Sequence, residues 1–121
     1  MKLNLSDAAV VNETNNADAV GDISLFKTLE SLTSWAEPVD VRYGEYFAYT
    51  LSGQALALGV EHHRVTVAKV GADAALSAHA RRLLEATAER VLKARRSDNP
   101  VGIRPGSLTI DELAALIGFT R

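Results

Sequence analysis

The chain of 121 residues contains no cysteine, which excludes disulfides, zinc–thiolate centres and thiol nucleophiles. A thiol-free chain suits a reducing compartment, so a cytoplasmic location, or a place in an assembled particle, is expected. Aromatic residues are scarce: three Phe, three Tyr and one Trp. The core must therefore come from Leu, Val and Ala with a few rings, which requires close packing of helices. Residues 1–20 hold no apolar run long enough for a signal peptide or a membrane span, and no membrane partner is expected. The glycine-rich patterns G-x-x-x-x-G-K, G-x-G-x-x-G and G-x-S-x-G are missing too, and no pair of carboxylates stands at a catalytic spacing. The expectation is a protein that is not an enzyme and carries no cofactor.

Charge is present but divided. Residues 1–61 carry nine acidic and three basic side chains, and residues 62–121 carry ten basic and six acidic ones. The halves stand at −6 and +4 within a net charge of −2. Opposite charge helps two halves pack or simply sits in solvent, and it also polarises a surface toward partners.

Residues 1–21 read as a polar amino-terminal arm. After a short alternating start come Ala, Asn, Asp and Thr without a helical or strand period, too little apolar surface to offset the entropy of ordering. The remaining residues, 22–121, read as one α+β domain. A helix is predicted over 22–36, capped by Asp22 or Ser24, with Leu25, Leu29, Leu32 and Ala36 at helical spacing and Pro38 as its stop. From Val39 the period changes to two: Val39, Val41, Tyr43, Phe47, Tyr49 and Leu51 share one parity, with a bend at Gly44. Ser52-Gly53 and His62-His63 read as turns into strands over 54–60 and 64–70.

A long helix over 74–96 follows, with Asp73 as cap and Leu76, Ala80, Leu83, Leu84, Thr87 and Val91 as its buried stripe. Arg81, Glu85, Glu89 and Lys93 are assigned to the water-facing side. Residues 97–107 form a Pro- and Gly-rich loop, and Thr109 with Glu112 makes a capping box for a last short helix. The fold class is thus α+β: a small antiparallel three-stranded meander with helices packed on one face, in the order arm-α-β-β-β-α-α.

Four residues are candidates for an interface. Alternation sends Tyr46 to the side opposite Phe47 and Tyr49, and exposed tyrosines bury area at low entropy cost. Lys93, Arg95 and Arg96 gather at the carboxyl end of the long helix, where its dipole favours cations. No catalytic, cofactor-binding or metal residue is assigned. Neighbouring His62 and His63 point apart on a strand and would meet, with Glu61 or His79, only in a tight turn. They read as a polar hairpin tip, and His79 as a flanking helix histidine.

Residues 112–121, Glu-Leu-Ala-Ala-Leu-Ile-Gly-Phe-Thr-Arg, resemble the supporting helix and turn of helix-turn-helix DNA-binding domains. In that family a recognition helix follows and enters the major groove. The resemblance implies DNA binding for a longer protein of which this chain is a truncated piece. Nothing basic and base-reading remains within 112–121, so a nucleic-acid partner is not expected for the chain itself. The function expected first is that of a non-catalytic protein-binding or structural subunit of a larger bacterial or phage assembly. Its partner would be another protein or its own copies, docked through residues 1–20. An immunity or antitoxin-type inhibitor is the alternative, its acidic half supplying the patch.

Overall fold

The computed structural model describes residues 4–16, 18–72, 74–94 and 104–120. Residues 8–11, Ala-Ala-Val-Val, are a continuous apolar run, and all four side chains are fully buried. A strand covered on both faces has this composition, because neither parity needs to be polar. Strand β1 (Ala9–Glu13) accordingly lies inside a five-stranded antiparallel sheet, between β2 (Asp22–Phe26) and β3 (Tyr46–Thr50). Beyond β3 come β4 (Gln54–Glu61) and β5 (Arg64–Ala72), giving the order β2-β1-β3-β4-β5. This corrects the expected three-stranded meander and the arm that preceded it: Val10 pairs with Leu25 on one side and with Tyr49 on the other.

The loop between β1 and β2 has little apolar surface, and polar groups hold it. Asn12, fully buried, donates its side-chain amide to the Ala19 carbonyl and accepts from the Gly21 N–H, both at 2.8 Å. Gly21 has to be glycine, since a Cβ there would fall 2.2 Å from the Glu13 carbonyl oxygen.

The helix expected over 22–36 is in fact two elements. Residues 22–26 belong to β2, and helix α1 (Leu29–Trp35) starts only after Thr28, whose hydroxyl accepts the Ser31 N–H. Leucines at 25, 29 and 32 suit a helix by spacing, but the cap at Thr28 fixes where that helix begins. Pro38, read as a stop, also opens a second helix, α2 (Pro38–Arg42), since its missing N–H costs nothing at a first helical position. Val39 and Val41 are therefore helical and the strand period starts at Tyr46.

The two later helices lie where the sequence puts them, but in the long one Leu76, Thr87 and Val91 of the expected buried stripe are only half-buried, and Arg81 and Glu85, assigned to water, are half-buried too. Helix α3 (Ala74–Ala94) buries Ala80, Leu83, Leu84 and Ala88, and α4 (Ile110–Ile117) carries the Thr109–Glu112 capping box. The proposed cap, Asp73, lies outside the described residues. Arg81 and Glu85 pair with each other at 3.2 Å, and Arg81 also donates to the Gly106 and Leu108 carbonyls, tying α3 to the chain before α4.

Four α-helices occur among the described residues, and they cover both faces of the sheet, where three on one face were expected. Val10, Leu25, Tyr49 and Leu51 pack with Leu83, Leu84, Ala88 and Leu113. The other parity of the same strands, Ala9, Val11, Phe26, Ala48 and Leu56, packs with Leu32 of α1, joined by Trp35, Tyr46 and Val67.

Candidate functional site

Tyr46 opens β3 and turns its ring into the α1 side of the sheet. It lies 5.4 Å from the Trp35 ring, which in turn lies 5.1 Å from Phe26. Its hydroxyl donates to Asp40 Oδ2 at 3.1 Å. Burial pushes the phenol up to about 12; a backbone hydrogen bond at Glu37 opposes the shift and the Asp40 carboxylate reinforces it. Tyr46 therefore fastens α2 to the sheet, half-buried. Lys93 is exposed in the last turn of α3. Arg95 and Arg96 lie outside the described residues. The structure does not bring Tyr46 and Lys93 to one site.

The exposed tyrosine is Tyr43, the cap residue at the end of α2, at 76% exposure. Val39, one helical turn earlier, is 52% exposed, and the N–H of Tyr43 bonds to its carbonyl. Residues four apart on a helix lie one above the other, so the two form a single apolar rib. The third large hydrophobic residue left in water among the described residues is Val70 of β5, at 51%. Sequence parity missed Tyr43 because it depended on a strand running from Val39. The signal that locates it is Pro38 in the first-turn position of a helix.

The sheet has two edges, and only one is open among the described residues. At the β2 edge the chain after α4 returns, Thr120 donating its N–H to the Leu25 carbonyl at 2.7 Å while Phe119 packs against the core. A hollow of about 250 Å³ beside Lys27, Ser31 and Phe119 belongs to this closed edge. The segment resembling a helix-turn-helix is thus laid against α3 and β2.

The other edge is β5, nine residues long, with Arg64, Thr66, Ala68, Lys69, Val70 and Gly71 all exposed. Its register is set by the turn at His62 and His63, whose φ angles of 50° and 64° are those of a primed two-residue hairpin. Glu61 then faces Arg64 across the ladder. Such a turn makes its flanking residues a hydrogen-bonded pair, and antiparallel alternation then aims the N–H and C=O groups of Val65, Val67 and Lys69 outward.

A groove of about 520 Å³ runs beside the start of β5. Thr33, Ser34 and Pro38 line one side, and His63, Arg64 and Val65 the other. The carboxyl end of α1 and the amino end of α2 meet here, and their opposed dipoles largely offset, leaving side chains to set the local charge. Glu61 does not line the groove; it leans to His62, 3.9 Å away, and both are exposed. No group of three or more metal-ligating side chains occurs among the described residues. His79 stands edge-on to the Tyr49 ring, centroids 5.3 Å apart. No helix among the described residues is long and apolar enough to cross a membrane. Comparison with family models, curated proteins and solved structures gives no match to this chain.

Proposed function

We propose that the protein is a non-catalytic binding subunit that takes an extended segment of another protein, as an added strand, along the free edge of β5. The observation that carries the reading is the edge itself. It is a nine-residue strand, six of whose side chains are exposed, with outward backbone groups at Val65, Val67 and Lys69, while the opposite edge is capped at Leu25 by Thr120. An uncovered strand of this length is a template for pairing, and folds that do not use one normally blunt it with proline, bulges or inward charges. Strand β5 has no proline; its ladder to β4 keeps one register from Arg64 to Lys69, and the deterrents along it are Lys69 and an irregularity at Val70 and Gly71. The three large hydrophobics exposed among the described residues, Val39, Tyr43 and Val70, lie on α2, at its carboxyl cap and on β5, and exposed apolar surface of this kind marks an interaction site. A subunit with this role fits within a larger assembly.

The test is selection of phage-displayed random peptides on the purified chain, followed by binding of the recovered peptides to the Lys69→Pro variant. Proline removes an outward N–H without touching the β4 ladder or the core. Recovered peptides are expected to protect the Val65 and Val67 amides from exchange and to lose binding to Lys69→Pro. Failure to enrich any peptide, or peptides indifferent to Lys69→Pro, refutes the reading.

A further inference from the structure

We infer that the segment received on β5 is acidic, with a carboxylate seated in the groove between the α1–α2 junction and the start of β5. The inference rests on edge docking as proposed above and adds the chemistry of the partner. From His62 to Ala72 the chain carries Arg64, Lys69 and two histidines and no carboxylate. Nor does any carboxylate line the groove, whose ionisable residues are Arg64 and His63, with the Thr33 and Ser34 hydroxyls across from them. Arg64 makes no ion pair with any described residue, although Glu61 stands opposite it in the ladder. A guanidinium left in this state keeps its paired N–H donors for a planar anion, which a carboxylate satisfies two bonds at a time.

The groove is larger than one carboxylate needs and is of the size that holds a few residues of chain. A second copy of this protein fits the edge less well. Antiparallel pairing of β5 with its own copy brings two arginines and two lysines into one seam, and like charges across a ladder repel. An acidic strand laid there meets opposite charge at two points along the edge, at Arg64 and, on the other face, at Lys69.

The turn adds a second indication. Asn-Gly adopts two positive φ angles in succession at little cost, whereas two histidines do so against steric strain. The sequence accepts that strain and thereby keeps an imidazole, His63, at the mouth of the groove.

The experiment measures fluorescence anisotropy with labelled peptides of about eight alternating Thr and Val residues, long enough to span the edge. One peptide carries Glu at both ends, one Gln and one Lys. The Glu peptide is expected to bind at least about tenfold more tightly than the Gln peptide, the usual scale of a charge-assisted pair, and the Lys peptide not at all. Arg64→Gln, an exposed substitution, should remove most of the advantage of the Glu peptide, leaving only what Lys69 contributes, and leave the Gln peptide unchanged. Lys69→Pro should abolish both. If Glu and Gln peptides bind wild type equally and both are lost in Lys69→Pro, edge docking stands and the acidic partner is overturned. If sedimentation shows a concentration-dependent dimer that Lys69→Pro dissociates, a second copy occupies β5 and the inference fails. If no peptide binds a monomeric protein, the docking reading falls together with it.

Discussion

Replacing Asn12 with leucine separates hydrophobic burial from hydrogen bonding at one interior position. Asn12 is fully buried in β1, and its amide brackets the loop to β2 through two bonds of 2.8 Å. Leucine keeps the branched four-atom skeleton of the side chain, though bulkier, and is far more apolar, so if burial alone governed the site the variant would gain stability. The structure dictates the opposite. Each net hydrogen bond is worth about 1 kcal/mol, and a donor sheltered from water and left without an acceptor, here the half-buried Gly21 N–H, costs up to about 1–3 kcal/mol more. The Ala19 carbonyl lies at an exposed residue and can turn to water, so it adds little. The expected loss is about 2–4 kcal/mol, a large part of the 5–15 kcal/mol typical of a domain. Urea denaturation read by circular dichroism and by the fluorescence of Trp35, which lies in the core on the other side of the sheet, should show the midpoint fall by about 1–2 M. A leucine variant as stable as wild type would refute the idea that the Asn12 amide holds residues 19–21 in place.

Deleting residues 1–13 removes a strand from inside the sheet and should leave a chain with no cooperative melt; a folded truncation would show β1 to be dispensable. The pair His62→Asn with His63→Gly relieves two strained φ angles and should raise stability on the order of 1 kcal/mol, about 3–5 °C in melting temperature. A lower melting point would mean that the histidines hold the turn by contacts of their own. Burial raises the ionisation of Tyr46 from 10.0 to about 12 and also shifts Tyr49 upward. The folded state thus holds these phenolic protons more tightly than the unfolded one, and the resulting stability is complete below pH 10 and lost as pH climbs through 12. Phenolate absorbance from both rings should appear together with loss of the helical signal. Full ionisation of both by pH 10 in a folded protein would contradict this.

Local chemistry was legible in the sequence wherever a signal sat within a few residues. The turns at Gly53 and at His62-His63, the stripe through Leu83 and Leu84, and the Thr109–Glu112 box lie where spacing put them. Strand β1 was hidden because Ala8 to Val11 has no period: both faces are covered, so alternation vanishes. The polar residues after it looked like the body of an arm, when Asn12 is in fact the buried clamp of a loop. Strand β2 was absorbed into a helix because Leu25 continues the spacing of Leu29 and Leu32, and only the Thr28 hydroxyl marks the break. The meander expected from the sequence already put the strand over 64–70 at one edge. The other edge could not be read, because β2 becomes one only through β1 entering between β2 and β3.

Closure of the β2 edge by Thr120 limits how this sheet can grow. A strand added at β5 has no matching vacancy at the far side of the next molecule, so head-to-tail addition has nowhere to continue. Growth stops after a single event: either one guest strand, or two copies meeting about a twofold axis. The hydrogen bond that Thr120 makes to Leu25 of β2 thereby acts as a terminator, and an open filament would require Thr120 to be peeled away first.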